Sequence, residues 1–314
     1  MIMAAFISAS TKAAAYVPFS AEGHATLSPA LFENFQRLIY AETGIWLGSS
    51  KTALLCGRLA RRLRDLRIST LEEYFRFVTQ PDRSQERMLM IDAITTNETH
   101  FFREPRHFEF LLQRLFPCWK EEAALGTRPK RIRIWSAGCS TGEEPYSLAM
   151  LLMSHFSPLL DWDVNVLATD ISTDVLARAQ AGVYSAERAQ EIPAHLLHSF
   201  ALQGVGEHEG QIKIKPEVQR LVTFTRSNLS QTPYQVDGPF DAIFCRNVLI
   251  YFDLESKSNV VRALTSHLAP SGLLFLGHAE NLNGIPTGLK SVMPTVFGHQ
   301  EDKLRLAALP VRAQ

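Results

Sequence analysis

Residues 131–144 read R-I-R-I-W-S-A-G-C-S-T-G-E-E, and their order decides the fold. Arg131–Ser136 is a short apolar strand, the small residues after it make a turn, and a helix opens near Glu143. Such a turn lets a ligand approach the backbone, and the helix N-terminus behind it offers free N–H donors. Spacing alone suits two readings equally: a nucleotide-type cofactor laid over the turn, or a tight strand-to-helix connection common in α/β proteins. Glu143 and Glu144 narrow the first reading. They put negative charge where a pyrophosphate would sit, so they suit a cofactor with an ammonium group and no phosphate.

Working outward, the strand and helix pattern repeats downstream. Val164–Thr169 reads as a second strand followed by a helix from about Asp174 to Ala181. Phe240–Cys245 is a further strand, Glu255–Leu268 a helix ended by Pro270 and Gly272, and Leu273–Gly277 the next strand. Strands alternating with helices predict a parallel sheet covered on both faces. One stretch, about 203–227, breaks the alternation. Gln211–Lys215 and Leu221–Arg226 read there as a small antiparallel β insert.

Upstream, residues 27–95 read as an all-helical domain. Ser28-Pro29 supplies an N-cap and a first-turn proline, Leu31, Phe32, Phe35, Leu38 and Ile39 keep helical spacing, and Gly44 is a stop. A second helix, Lys51 to Leu66, carries Leu55, Leu59, Leu63 and Leu66 as its apolar stripe. Thr70 with Glu73 forms a capping box for a third helix, and Ser84 is placed to cap a fourth. Residues 96–130 form a linker and a connecting helix, 131–314 the α/β domain, and 1–26 an Ala/Ser-rich, disordered lead-in.

Composition restricts the function. The 314 residues hold 32 Lys+Arg and 32 Asp+Glu, so the chain as a whole is no basic nucleic-acid binder. The four cysteines, Cys56, Cys118, Cys139 and Cys245, are scattered, which argues against a zinc site or a disulfide framework and suits a reducing cytosol. No stretch reaches the ~18 uninterrupted apolar residues of a membrane span. A nicotinamide dinucleotide site is disfavoured because the turn lacks G-x-G-x-x-G.

Other segments carry polar groups placed for chemistry. Asp170, just past the second strand, can accept hydrogen bonds from ribose hydroxyls or serve as an ordinary turn aspartate. T-T-N-E-T-H-F-F-R, residues 95–103, reads either as a polar linker with an aromatic anchor or as a flap bringing Arg103 to a carboxylate. F-C-R-N-V-L-I-Y-F, residues 244–252, lies at the end of a core strand, where Asn247 and Tyr251 can reach a ligand. The second helix bears Arg58, Arg61, Arg62 and Arg64. This run is a solvated face or a surface for an acidic partner, with Arg58, Arg61 and Arg62 on one side by their spacing.

Taken together, T-T-N-E-T-H-F-F-R-E, S-A-G-C-S-T-G-E-E-P-Y-S, T-D-I-S-T-D-V-L, G-P-F-D-A-I-F-C-R-N-V-L-I-Y-F-D and G-L-L-F-L-G-H-A-E-N occur in the order of the CheR family of chemotaxis-receptor glutamate methyltransferases. The chain resembles that family from about residue 28 to 285. The resemblance implies a helical receptor-docking domain followed by a Rossmann-like class I methyltransferase domain carrying a β insert. It implies S-adenosylmethionine as cofactor, S-adenosylhomocysteine as product, and the cytoplasmic helical region of chemoreceptors as partner. By the same resemblance Asn97, Thr99, Arg103, Glu144, Asp170, Asn228, Leu229, Asn247 and Val248 contact the cofactor, and Arg103 and Tyr251 lie nearest the transferred methyl. Gly204–Gly210 resembles the Gly-rich loop of the family's insert, which in some members docks a short peptide from the receptor's C-terminus. Rival readings are a small-molecule or RNA methyltransferase and a non-catalytic, S-adenosylmethionine-sensing receptor-binding module.

Overall fold

A computed structural model describes residues 27–156 and 161–301; the expected lead-in, residues 1–26, lies outside them. The helical domain forms as its local signals dictate. Helix α1 (Pro29–Thr43) begins where Ser28 Oγ accepts from the Leu31 N–H, and it stops at Gly44, whose φ of 71° suits glycine. Helices α2 (Thr52–Leu66), α3 (Leu71–Val78) and α4 (Ser84–Ile94) follow. Thr70 caps α3 by accepting from the Glu73 N–H, whereas Ser84 is the first residue of α4 rather than its cap. Phe35, Leu59, Tyr74, Val78 and Met90 are fully buried where these helices meet.

The connecting helix runs as α5 (Pro105–Phe110), a π-helical stretch (Leu111–Leu115) and α6 (Phe116–Ala124). Strand β1 (Arg131–Ala137), helix α7 (Glu143–His155), strand β2 (Asp163–Asp170) and helix α8 (Thr173–Ala181) come next. An insert then contains β3 (Val183–Ser185), α9 (Ala186–Ala189), α10 (Ala194–Phe200), β4 (Ala201–Gln203) and β5 (Gln211–Ile214). A short helix α11 (Pro216–Gln219) leads to β6 (Val222–Arg226), and β7 (Phe240–Cys245), α12 (Leu254–Ser266), β8 (Leu268–Leu276), β9 (Lys290–Met293) and β10 (Val296–Gly298) complete the order.

The main sheet has seven strands in the order β6-β2-β1-β7-β8-β10-β9, with only β10 antiparallel to its neighbours. Period-two alternation splits its side chains between two cores. Ile132, Ile134, Phe244 and Phe275 face one layer, while Trp135, Ala137, Ile243 and Leu274 face the other. Both faces are therefore apolar, as a helix-covered parallel sheet requires.

The insert differs from its expected bounds of about 203–227. It is a three-stranded antiparallel sheet, β3-β5-β4, that begins at Val183. The segment assigned as its second strand is β6, which pairs in parallel with β2 from Val166↔Val222 to Asp170↔Arg226. Pro216 opens a helical turn between β5 and β6, so the chain leaves the insert instead of folding back as a hairpin. Strands β3 and β4 are three residues each, too short to leave a periodic signal.

Several bonds join the helical domain to the α/β domain. Tyr40 Oη donates to Asp253 Oδ2 at 2.8 Å, Asn228 Nδ2 to the Glu42 carbonyl at 2.7 Å, and the Trp46 N–H to the Tyr251 carbonyl at 2.9 Å. Ile45 and Phe252 form a single β-bridge.

Candidate active site

A cavity of about 340 Å³ opens between the two domains, over the C-terminal ends of β1, β2 and β7. Strand order reverses between β1 and β7, the crevice in which open α/β sheets bind ligands. The chain after β1 makes this approach possible. Gly138 has a φ of 87°, and a Cβ there would lie 2.4 Å from Val248 Cγ2; Gly142 has a φ of 94° just before α7.

Each carboxylate has a defined setting. Asp170 is buried, with Oδ2 accepting from the Ser140 N–H at 2.9 Å and Oδ1 from the Ser172 N–H at 3.0 Å. Burial pushes its pKa up, and the backbone donors only partly oppose that. Its two oxygens together offer about four lone-pair sites, which leaves acceptor capacity for hydroxyl groups in the cavity. Glu144 lines the cavity, while Glu143 is buried away from it, accepting from Thr141 Oγ1 at 2.6 Å and paired with Arg188.

Glu144 belongs to a buried charge cluster that the sequence reading missed. Its Oε1 accepts from Ser136 Oγ at 2.7 Å, and its Oε2 pairs with Arg246 Nη1 at 2.9 Å. Arg246 also holds Glu104 Oε2 at 3.1 Å and donates to the Arg103 carbonyl. Burial raises the Glu104 pKa, but Arg246 and the His278 N–H outweigh it and leave the group below its ordinary value. Two carboxylates against one guanidinium leave this cluster a net charge of −1. Below it His107 is buried, its pKa pushed down to about 4 by burial and by the charge of Arg246.

The loop after β7 is held by another acid missed from sequence. Glu280 is buried and accepts from the N–H groups of Gly277 (2.6 Å), Asn247 (3.0 Å) and Ile250 (3.3 Å). These bonds fix Asn247 in the left-handed region, with a φ of 59°. From the other side, Ser140 Oγ donates to the Asn97 carbonyl at 2.9 Å and ties the interdomain linker to the turn.

All ten residues expected at the cofactor and the methyl line this one cavity: Asn97, Thr99, Arg103, Glu144, Asp170, Asn228, Leu229, Asn247, Val248 and Tyr251. Arg103 gives one N–H to the Glu98 carbonyl at 2.8 Å. The Asn228 side chain is occupied between Glu42 and Ser230.

The four arginines of α2 divide, contrary to the shared face expected of Arg58, Arg61 and Arg62. Arg58 donates to the Thr95 carbonyl at 2.7 Å and to Thr96 Oγ1 at 2.8 Å. Arg62 holds Glu86, itself buried and bound by Tyr74 Oη, through bonds of 2.7 and 3.0 Å. At about 100° per residue, Arg58 and Arg62 fall beside Leu55 at the edge of the buried stripe, so they turn inward. Arg61 and Arg64 face solvent.

Comparison with known proteins agrees with this geometry. The sequence model of the CheR methyltransferase SAM-binding domain matches residues 97–297, and that of the CheR all-alpha domain matches residues 30–95. The chain belongs to the CheR methyltransferase family. Its relatives include chemotaxis protein methyltransferase 2 of Pseudomonas aeruginosa, 40% identical over 85% of this chain and 91% of that one. The chemotaxis protein methyltransferases of Salmonella typhimurium and Escherichia coli are each 38% identical over 88% of this chain, and over 92% and 93% of their own lengths. This CheR protein is an S-adenosylmethionine-dependent methyltransferase with an all-helical domain ahead of a class I catalytic domain. The cavity's donor set fits that cofactor. The acidic cluster suits the ammonium of the cofactor's amino-acid end, Asp170 suits a ribose, and the nearby amides suit an adenine edge.

Proposed function

We propose that this enzyme esterifies glutamate side chains in the cytoplasmic helical region of chemotaxis receptors, giving glutamate methyl esters and S-adenosylhomocysteine. The observation that carries the reading is the convergence of Arg103 and Tyr251 on the same cavity as Glu144 and Asp170. When bound, S-adenosylmethionine supplies an electrophilic methyl group on its sulfonium. In this reading Glu144 and Asp170 hold its polar ends, and the Glu280-braced loop presents Asn247. A glutamate carboxylate has an ordinary pKa of about 4.3 and is ionised near neutral pH, so no residue need remove a proton. The task of the site is positioning and exclusion of water. Arg103, with N–H groups beyond the one given to Glu98, orients the incoming carboxylate, and Tyr251 donates to it from the other domain wall. Arg246 fixes Arg103 from behind through its carbonyl.

The site of action is the cytoplasm; among the described residues no helix is long and apolar enough to cross a membrane. Arg61 and Arg64 attract the acidic receptor surface. The β insert supports a second contact. Among the described residues strand β4 is an edge, paired only with β5, and Leu202 within it and Val205 just after it are exposed, so a receptor's C-terminal peptide can add there as a further strand.

The test is incubation with methyl-labelled S-adenosylmethionine and a receptor's cytoplasmic fragment. Base-labile label on glutamate is expected; label that resists base, or sits on another residue type, refutes the reading.

A further inference from the structure

The turn between β1 and α7 leaves ordinary backbone conformation at three of its five residues. Gly138, Ser140 and Gly142 have φ of 87°, 49° and 94°. Glycine adopts such angles freely, whereas Ser140 does so at a cost, and a strained residue persists only where its surroundings over-determine it. On the cavity side two bonds restrain Ser140: its N–H donates to Asp170 and its Oγ to the Asn97 carbonyl. Outside the cavity the restraint comes from the β insert.

Tyr184 in β3 and Arg188 in α9 supply it. Tyr184 Oη donates to the Thr141 carbonyl at 2.7 Å. It packs so closely that a Cβ on Gly142 would stand 2.9 Å from this hydroxyl and 2.8 Å from Ala179 Cβ. Arg188 pairs with Glu143, which is wholly buried and also accepts from Thr141 Oγ1 at 2.6 Å. Thr141 is thereby held at its carbonyl by one insert residue and at its hydroxyl, through Glu143, by another. The insert also grips the interdomain linker. The buried Phe101 ring meets the Tyr184 ring edge-on, with centroids 4.9 Å apart, and Glu191 pairs with His100. Ser140 of the turn and Asn97 of the linker line the cavity, whereas Tyr184, Arg188 and Glu191 do not. One small sheet thus braces, from behind, both segments that face the cofactor's cavity.

We infer that Tyr184 and Arg188 are positioning residues for methyl transfer: from outside the cavity they hold the Gly138–Gly142 turn in the shape that takes S-adenosylmethionine. A turn shaped before the cofactor arrives removes an ordering cost from binding. This gives the insert a task separate from the peptide contact proposed above. Which substrate is methylated does not bear on it, because cofactor binding reads the effect directly.

The test is calorimetry with S-adenosylhomocysteine on the full-length protein, beside its melting temperature without ligand. Tyr184→Phe keeps the ring against Phe101 and removes only the hydroxyl; Kd is expected to rise about fivefold, within the range of one lost hydrogen bond. Arg188→Ala removes the ion pair but strands the buried Glu143 charge, so it is compared with the double variant Glu143→Gln/Arg188→Ala, which removes that charge as well. The double variant should also bind about fivefold more weakly, while Arg188→Lys, which keeps a cation for Glu143, stays within about twofold of wild type. Without ligand, Tyr184→Phe and the double variant should melt no more than about 4 °C below wild type. A lower melting temperature with unchanged affinity would make these bonds purely structural and overturn the inference. Wild-type affinity in the double variant, or binding by Arg188→Lys as weak as that of Arg188→Ala, would overturn it for Arg188. Should Arg188→Ala fail to fold, Tyr184→Phe and Arg188→Lys decide.

Discussion

Arg246 and Glu144, 102 residues apart, form a buried ion pair at 2.9 Å, and the same guanidinium holds Glu104. Removing one partner of such a cluster leaves the others charged and unpaired. Arg246→Met is therefore expected to destabilise the fold by about 3–5 kcal/mol, measured by denaturant unfolding. Loss of less than about 1 kcal/mol would show that water reaches and relieves the carboxylates.

A second expectation concerns the ribose site. Asp170→Ala removes acceptors from a buried position and should weaken S-adenosylhomocysteine binding by about 1–3 kcal/mol by calorimetry. Because its carboxylate also accepts from Ser140 and Ser172, a thermal melt without ligand should fall as well. Unchanged affinity would remove Asp170 from the cofactor's contacts.

Arg103 separates chemistry from binding. If its free N–H groups serve the substrate carboxylate, Arg103→Ala lowers kcat far more than it lowers S-adenosylhomocysteine affinity. Equal losses in both would make it chiefly a cofactor ligand.

His107 makes stability depend on pH. Its folded pKa, about 4, lies below the unfolded value of 6.5, so the unfolded chain binds more protons between the two. The His107 contribution to stability therefore declines as pH falls from 6.5 toward 4, by up to about 1.4 kcal/mol per pH unit within the window, opposed by Asp170 and Glu280, whose carboxyl pKa values burial pushes up. Glu104 adds the carboxylate case. Its folded pKa is depressed, so its contribution is full above its ordinary value and fades as pH falls below it. His107→Phe should flatten the slope between pH 6.5 and 4 while leaving the steeper loss below; urea midpoints across pH would show it. An unaltered slope would mean that another group titrates there.

The arginines of α2 give paired outcomes. Arg61→Glu with Arg64→Glu should slow receptor methylation mainly in association, with the effect shrinking as salt rises, because exposed charges are screened beyond about 8–10 Å at 0.1–0.15 M. Arg58→Glu with Arg62→Glu should instead lower the melting temperature, since it sets new carboxylates against Glu86 and the Thr95 carbonyl. The same salt-dependent kinetics from both pairs would contradict the division.

Local signals were legible wherever the cause was local. Ser28, Pro29 and Gly44 bounded α1, the apolar runs gave the central strands, and the turn before Glu143 was read correctly. Partners distant in sequence were not. The position of Arg246 next to Asn247 was visible, but Glu104 and Glu144 lie 142 and 102 residues away. Arg62 looked solvent-facing because Glu86, 24 residues on, gives no sign of itself in helical spacing. Strand β6 was misassigned because strand length and spacing do not reveal the pairing partner; only the sheet sets Val222 beside Val166.

The seam between the domains, with Ile45 bridged to Phe252 and Trp46 bonded to the Tyr251 carbonyl, limits how this enzyme can be rebuilt. One wall of the catalytic chamber is borrowed from the helical module, the one proposed to meet the receptor. Transplanting a foreign helical module to change receptor choice would also replace that wall. Such a chimera would need matching changes at Asn228, Tyr251, Phe252 and Asp253, so on the proposed reading receptor preference and cofactor retention are inherited as one trait.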